Sequence, residues 1–302
     1  MLKINQIVHN AWEMGLAIPA FNVPYLPMIA PVVRAIKDED AFALVEVARL
    51  EWTKFGAQSP AAVAEEFFRL ADLNYVRLHL DHIPVIDEDG EDVDYLAIVQ
   101  EALKLGYHSV MVDGSRLELE ENIRTTKEVV TLAHQHGAPC EAELGAVLGH
   151  EEGPLPPYDE LFASKKGFTD VEEAQRFVAE TACDWLSVAI GNVHGAISGA
   201  LKDQKKTAAR LDIDHLRTLR DATNVPLVLH GGSSIPREYV MAAIEAGIAK
   251  VNVGADIRQS YERVLNTRGD VQEAQESVYR RTRYLLHDYF DLTGVRSRVT
   301  GA

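Results

Sequence analysis

Cysteine is nearly absent from this sequence of 302 residues, which contains only Cys140 and Cys183. Two cysteines are too few for a disulfide framework. Each lies in an apolar run, so we expect both to be buried thiols in a reducing, cytoplasmic compartment. No window approaches the roughly 18 consecutive apolar residues of a membrane-spanning helix. The opening stretch MLKINQIVHNAWEMG has no long apolar core, so we expect no secretory signal there.

Positive charge is scarce as well. The chain has 30 Lys and Arg residues compared with 46 Asp and Glu residues, which gives a formal net charge of −16. This acidity argues against nucleic acid or an anionic membrane as a partner. It still allows a small anionic substrate, because local charges and a bound metal decide the field inside a site. Low-complexity linkers are also lacking, so we expect residues 1–302 to form a single domain.

Short β-rich runs alternate with longer segments of helical periodicity along the chain. The predicted strands are 17–23, 42–48, 76–82, 109–115, 139–145, 185–191, 226–232 and 250–256. Stretches between them, such as DYLAIVQEALKLG, carry apolar residues at helical spacing and end in glycine. Eight strands alternating with helices predict a single (β/α)₈ barrel of the TIM type with C-terminal helices over about 257–302. An open doubly wound sheet is the alternative.

Polar residues gather where the predicted strands end, and in a barrel these ends form one rim. Three histidines, His82, His194 and His230, lie at three different strand ends with carboxylates nearby. Three imidazoles with an open fourth position are a common arrangement for catalytic zinc. His79 lies further back in its strand, where we expect a supporting role in the barrel interior.

Two features of the predicted strands and loops have more than one interpretation. Glu141 and Glu143 are two apart on a strand and so face the same side, where they need a cation or a basic residue such as Arg77. The glycine pairs in HGGSS and NVGAD suit a phosphate cradle, although tight turns also use glycine. The long polar segment 149–170 favours an active-site lid over a connector without function.

Together these motifs resemble the class II, zinc-dependent ketose-bisphosphate aldolases, which include fructose-bisphosphate and tagatose-bisphosphate aldolases. The resemblance covers roughly residues 1–258. It rests on the motifs AFNV, LHLDH, SVMVDGS, EENIRTTKEVVTLAHQHG, CEAELG, GFTDVEEAQRFV, AIGNVHG, PLVLHGGSSIP and KVNVGAD.

The resemblance implies a role for each matching residue. It makes His82, His194 and His230 the zinc ligands, and Asp113 and Glu143 the ligands of a possible second divalent metal. Asp81 is implied as the acid/base at the C4 hydroxyl, Glu151 or its neighbour Glu152 as the base next to the ketone, and Asn252 as the group that steadies the enediolate. The implied substrate and phosphate contacts are Gly195, Gly231, Gly232, Ser233, Asn252, Val253, Gly254 and Ala255. The resemblance also implies a homodimer or homotetramer.

Several positions depart from the family pattern, and most of them concern phosphate recognition. Ala255 stands where the family usually has Thr, Ser234 replaces a glycine, and the lysine that often follows the HG of strand six is missing. Strand two ends in Ala48 rather than Ser and offers Glu46 and Arg49 at its mouth. The C-terminal segment lacks the familiar arginine stretch that serves the distal phosphate. We therefore expect aldol chemistry on a ketose phosphate or acidic ketose other than fructose 1,6-bisphosphate.

Two other functions use the same residues. A zinc-dependent epimerase or isomerase would form the same intermediate and convert it to a rearranged sugar. Release of a triose-sized product would exclude this function. A non-catalytic binding or assembly subunit would have degraded metal ligands, and all three histidines are present.

Overall fold

The computed structural model describes residues 2–145, 158–192, 210–232 and 235–301, apart from the side chain of Leu161. Its centre is a closed barrel of eight parallel strands in sequence order, with β1 paired to both β2 and β8. The strands are β1 Ile18–Asn22, β2 Ala43–Ala48, β3 Val76–Pro84, β4 Ser109–Asp113, β5 Cys140–Leu144, β6 Trp185–Val188, β7 Leu227–Leu229 and β8 Ile248–Val253. The barrel prediction is confirmed, and closure through β1 and β8 excludes the open sheet.

Helices surround the barrel and connect successive strands. They are α1 Ile4–Glu13, α2 Ile29–Asp38, α3 Arg49–Thr53, α4 Pro60–Leu70, α5 Tyr95–Lys104, α6 Leu119–Gln135, α7 Tyr158–Ser164, α8 Val171–Thr181, α9 Ile213–Thr223, α10 Arg237–Ala246, α11 Ala255–Arg268, α12 Val271–Tyr284 and α13 Arg296–Thr300. Several begin at a side-chain cap, as where Asp170 accepts hydrogen bonds from the backbone N–H groups of Glu172 and Glu173. None of the helices described is long and apolar enough to cross a membrane.

Apolar side chains of the strands and helices form one continuous core, and both cysteines are buried free thiols within it, as predicted. The strands are buried on both faces because helices cover the outside of the barrel and side chains fill its interior. Every residue of β2 and β5 is buried, although these strands contain Glu46, Glu141 and Glu143. The barrel interior is therefore polar, and its charges must be paired within it.

Strand β3 differs from the predicted 76–82 run because it continues to Pro84 through an irregularity. Its register against β4 shifts between Leu80 and Ile83, and His82 within this bulge has a φ of +27°. Bulges redirect side chains and are enriched next to active sites. Asp81 and His82 are consecutive, so regular alternation would send them to opposite faces.

The predicted C-terminal helices are present, and α12 packs against α11 and α2. The predicted strand 250–256 is too long, because β8 ends at Val253 and Asp256 lies in the first turn of α11. Its carboxylate accepts two hydrogen bonds from Arg281, at 2.6 and 2.7 Å, and so joins α11 to α12. Asp256 thus contributes to helix packing.

Candidate metal and catalytic site at the carboxyl end of the barrel

Two of the three predicted zinc histidines meet at the carboxyl end of the barrel. The ring centroids of His82 and His230 lie 4.4 Å apart. One potential ligand atom from each of Asp81, His82 and His230 lies within 4.8 Å of the others, and the same holds for His82, Asp113 and Glu143. The end of β3, the end of β4, strand β5 and the residue after β7 therefore converge on one centre, as a barrel rim predicts.

Carboxylates enclose both imidazoles. His82 Nδ1 lies 3.1 Å from Asp113 Oδ2 and 3.9 Å from Glu143 Oε2. His230 places Nε2 at 2.8 Å from Glu141 Oε1 and Nδ1 at 3.3 Å from Glu143 Oε2. Neighbouring hydroxyl groups fix two of the carboxylates, since Ser115 Oγ donates to Asp113 at 2.6 Å and Ser187 Oγ donates to Glu143 at 3.2 Å.

The electrostatics of this centre favour a cation. Burial lowers the pKa of His82, but the negative charges of Asp81 and Glu143 and the hydrogen bond with Asp113 together raise it to about 9. Burial opposes protonation of His230 in the same way, while hydrogen bonds to Glu141 and Glu143 raise its pKa to about 10. Both shifts have the same cause, since the surrounding carboxylates favour positive charge at this position. Imidazole and carboxylate donors suit zinc, so the residues present fit such an ion.

Asp81 is held by side-chain amides on both of its oxygens. Asn22 Nδ2 donates to Oδ2 at 2.8 Å, and Asn252 Nδ2 donates to Oδ1 at 3.0 Å. Burial raises the pKa of Asp81, but the charges of the surrounding His82, Lys250, His230 and His79 together hold the pKa below its usual range. The result is an ionised carboxylate in a fixed orientation beside the two histidines.

A buried ammonium lies beneath these residues in the barrel interior. Lys250 Nζ is 2.9 Å from Glu141 Oε2 and 3.2 Å from Glu46 Oε2, and none of the three side chains is exposed. It also donates to Asn252 Oδ1 at 2.6 Å. Glu46, His79 and Asp81 form a further group of potential metal ligands. Because Lys250 already supplies positive charge there, this group needs no metal.

Two expectations about the interior are corrected by this arrangement. Glu46 does not lie at the mouth of strand two, because it is fully buried against Lys250. The basic partner of Glu141 is Lys250 and not Arg77, which donates to the carbonyls of Leu73 and Val76 instead. His79 does line the interior, with Nδ1 at 2.8 Å from Ser109 Oγ.

Arg49, the other residue expected at the mouth of strand two, begins α3. Its Nη1 lies 3.1 Å from Asp87 Oδ2 in the loop after β3. Arg49 therefore links the start of α3 to the loop after β3 at the rim.

The glycine positions have steric reasons of their own. Gly231 has a φ of +73°, which favours glycine. A Cβ on Gly232 would lie 3.0 Å from Val251 Cγ1, and one on Gly254 would lie 3.2 Å from Asn22 Oδ1. Gly254 follows Val253 and caps α11, which begins at Ala255 with no side-chain hydrogen bond at its N-terminus.

The remaining predicted site residues lie outside the described part of the chain. They are His194, Glu151, Glu152, Gly195 and Ser233.

Three polar residues of the site were not singled out by the sequence reasoning. Asn22 ends β1 within the motif AFNV, and its position at a strand end was the available signal. Lys250 is two residues before Asn252 on β8, so period-two alternation places both on one side. Glu51 is a buried carboxyl that accepts a hydrogen bond from the backbone N–H of Ala48 at 2.9 Å, and burial raises its pKa to about 8. Its position in a helix gave no indication in the sequence that Glu51 belongs to the site.

Known proteins resemble this chain over most of its length. Residues 2–292 match the family model for fructose-bisphosphate aldolase class-II. A fructose-bisphosphate aldolase of Streptococcus pneumoniae serotype 4 is 31% identical over 300 residues, with 98% of this chain and 93% of that protein covered. A 6-phospho-5-dehydro-2-deoxy-D-gluconate aldolase of Shouchella clausii is 36% identical over 258 residues, with 77% of this chain and 79% of that protein covered.

A solved structure has the same fold. The structure of the YdjI aldolase from Escherichia coli K12 matches with a TM-score of 0.76 at 28% identity, covering 98% of this chain and all of that one (100%). These matches confirm the family resemblance seen in the sequence and identify the protein as an aldolase, which is a lyase of carbon–carbon bonds. The chain belongs to the class II fructose-bisphosphate aldolase family.

Proposed function

We propose that the protein is a zinc-dependent aldolase that reversibly cleaves a ketose phosphate into a dihydroxyacetone-phosphate-like fragment and an aldehyde. His82 and His230, together with His194, are the proposed zinc ligands. The observation that carries this proposal is the pair of imidazoles 4.4 Å apart, enclosed by carboxylates and adjacent to an aspartate that two amides hold. Asp113 and Glu143 either orient these imidazoles or, with His82, hold a second divalent metal.

In this mechanism the side chains bind the substrate and move its protons. A bound zinc ion supplies the Lewis acid that stabilises the negative charge developing on the enediolate. Asp81 accepts the proton of the hydroxyl on the carbon β to the ketone, which is C4 in a ketose 1,6-bisphosphate, during cleavage and returns it during condensation. Asn252 lies next to Asp81 and steadies the charge of the dihydroxyacetone fragment. Glu151 moves the proton at the carbon next to the ketone.

The substrate phosphate is proposed to bind at the N-terminus of α11. Gly254, the residue that caps this helix, has no side chain to accept hydrogen bonds from the first-turn N–H groups, and such groups at a helix N-terminus bind anions. Residues 253–255 and Gly231, Gly232 and Ser233 complete the proposed cradle, with Gly195 from the loop after β6. Arg258 contributes less than its charge suggests, because its Nη1 lies 2.8 Å from Glu262 Oε2.

For the substrate itself, we propose an acidic ketose carrying one phosphate. The departures at the phosphate positions support this choice, as does the relative whose name is 6-phospho-5-dehydro-2-deoxy-D-gluconate aldolase. That name describes a chain with a carboxylate at C1, a ketone at C5 and a phosphate at C6. Cleavage between C3 and C4 of such a chain yields dihydroxyacetone phosphate and 3-oxopropanoate.

The proposed assembly is a homodimer or homotetramer.

The test is a panel of ketoses offered to the protein before and after metal removal. We expect chelator treatment to abolish aldehyde release and added zinc to restore it. We also expect the acidic ketose monophosphate to be cleaved with a higher kcat/KM than fructose 1,6-bisphosphate or tagatose 1,6-bisphosphate. Full activity of the metal-free protein would contradict the zinc proposal. Rearrangement of a ketose phosphate without release of a triose would identify an isomerase or epimerase instead.

A further inference from the structure

We infer that Lys250 is a positioning residue that sets the orientation of the Asn252 side-chain amide and, through it, of Asp81. This inference rests on the proposed roles of Asn252 and Asp81 in aldol cleavage. It assigns a function in the reaction to a buried lysine that otherwise serves only as a counter-ion in the barrel interior.

The hydrogen bonds form a directed chain from Lys250 to Asp81. Lys250 Nζ donates to Asn252 Oδ1 at 2.6 Å, and Asn252 Nδ2 donates to Asp81 Oδ1 at 3.0 Å. An ammonium only donates hydrogen bonds, and an ionised carboxylate only accepts them. A flipped amide would point its NH₂ group at the ammonium, which accepts no hydrogen bond, and its oxygen at the carboxylate, which donates none. The two charges therefore allow one amide orientation.

Lys250 is itself fixed from two other strands. Glu46 on β2 and Glu141 on β5 lie 3.2 and 2.9 Å from its Nζ, and all three side chains are fully buried. Lys250 and Asn252 are two residues apart on β8, so they project to the same side of the strand. The ammonium consequently has a fixed position directly beneath the amide that contacts Asp81.

The competing explanation is that Lys250 only neutralises Glu46 and Glu141. A double-mutant cycle between Lys250→Met and Asn252→Ala separates the two explanations, because coupled residues deviate from additivity. We expect Lys250→Met alone to lower kcat about 10–100-fold, the size expected for loss of a charge-assisted hydrogen bond. The KM should change less than kcat, since Asn252 is proposed to steady charge that develops only during the reaction. In the Asn252→Ala background, the same replacement should change kcat less than about threefold.

Two further variants control for folding. Glu46→Gln combined with Lys250→Met removes the ammonium together with one carboxylate, so it limits the charge imbalance that Lys250→Met creates. The double variant should show the same loss of kcat. Arg77→Met removes another buried cation, one that donates only to backbone carbonyls among the described residues. We expect it to lower stability with kcat unchanged.

A spectroscopic measurement tests the inference independently of activity. The side-chain NH₂ signals of Asn252, assigned by their loss in Asn252→Ala, should shift in Lys250→Met and stay in place in Arg77→Met. Unmoved signals would overturn the inference, as would equal losses of kcat from Lys250→Met in the presence and absence of Asn252. If the signals shift but the zinc-loaded wild type cleaves no ketose phosphate, the positioning role stands and the proposed function fails.

Discussion

At the scale of single residues, the carboxylate of Asp81 is the group proposed to move the substrate proton. It is buried, ionised and bound on each oxygen by one amide, from Asn22 and Asn252. A base held in this way presents its remaining lone pairs in one direction. It also lies close enough to His82 and His230 to share a potential metal site with them. The chemical role and the ligand role therefore need to be separated by experiment.

Replacement of Asp81 by alanine makes this separation. We expect Asp81→Ala to lower kcat by about 10²–10⁴-fold, the size expected for loss of a positioned proton carrier. Zinc content, measured by atomic emission, should be unchanged. Asn22→Ala is the matched control, since it removes one amide donor and keeps the carboxylate, and its kcat should fall by about 10-fold. Loss of zinc in Asp81→Ala would show that Asp81 is a ligand.

The side chain at position 255 tests the proposed substrate preference. Ala255 begins α11 and has no hydroxyl to offer a phosphate. We expect wild-type kcat/KM for fructose 1,6-bisphosphate to lie below about 10⁴ M⁻¹s⁻¹, the lower end of usual values. Ala255→Thr should lower the KM for this substrate about 10-fold by adding one hydrogen bond to a charged group. Ala255→Val, which has the same shape without the hydroxyl, should not. Efficient cleavage by the wild type would show that its phosphate site is intact.

At the scale of elements, the bulge in β3 determines which side chains reach the site. It lies between Leu80 and Ile83 and includes His82 at a φ of +27°. A residue with a Cβ is strained in this region of backbone space, and such strain persists at functional sites where the surroundings enforce it. We attribute the unusual backbone of His82 to its role at the centre of the site.

This strain predicts a difference between two variants that both lack the imidazole. In metal-free protein, we expect His82→Gly to be more stable than His82→Ala by about 1 kcal/mol, because only alanine retains the Cβ at positive φ. Urea unfolding of both proteins measures the difference in the free energy of unfolding. Neither variant should bind zinc as tightly as the wild type. Equal stability of the two variants would mean that His82 is unstrained.

At the scale of the whole molecule, the C-terminal helices are fixed to the barrel shell by Glu39 at the end of α2. Its carboxylate accepts hydrogen bonds from Arg283 Nε at 2.5 Å and Thr293 Oγ1 at 2.7 Å, and its carbonyl accepts one from the backbone N–H of Gly294 at 2.9 Å. Burial raises the pKa of Glu39, but the bonds from Thr293 and Arg283 outweigh it and lower the pKa below its usual value. The ionised form therefore stabilises the folded state.

We expect Glu39→Gln to lower the free energy of unfolding at pH 7 by about 1–3 kcal/mol, as for a buried polar group that loses its partner. Because the folded-state pKa is depressed, this stabilisation is present above the unfolded pKa and is lost as pH falls through the folded one. The difference in the free energy of unfolding between wild type and variant should thus be constant above about pH 5 and shrink as pH falls from about 5 towards 3. Urea unfolding across this range measures it.

Glu276→Gln is the control for this prediction, since Glu276 pairs with Arg34 where both side chains are about half exposed (44% and 51%). An exposed pair of this kind contributes about 0–1 kcal/mol. If Glu39→Gln lowers the free energy of unfolding no more than Glu276→Gln does, Glu39 does not fix the C-terminal helices. The same conclusion would follow if the loss did not depend on pH.

The sequence alone determined the barrel and most of its rim. Apolar runs alternating with amphipathic helices specify which faces are buried, and eight such units close into a barrel whose strand ends must converge. Asp81, Asp113 and His230 were therefore predictable from strand ends, and Glu141 and Glu143 from their two-residue spacing on β5. The roles of these residues followed from the family resemblance and not from the pattern.

Only the tertiary structure decided which of these groups contact one another. Strand alternation would have turned His82 away from Asp81, and the shift of β3 against β4 reverses this by inserting one extra residue into β3. The pairing of Lys250 with Glu46 and Glu141 joins β8 to β2 and β5, which are far apart in sequence. Hydrophobic patterning specifies that a side chain is buried, whereas strand register and barrel closure select the partner of each buried charge.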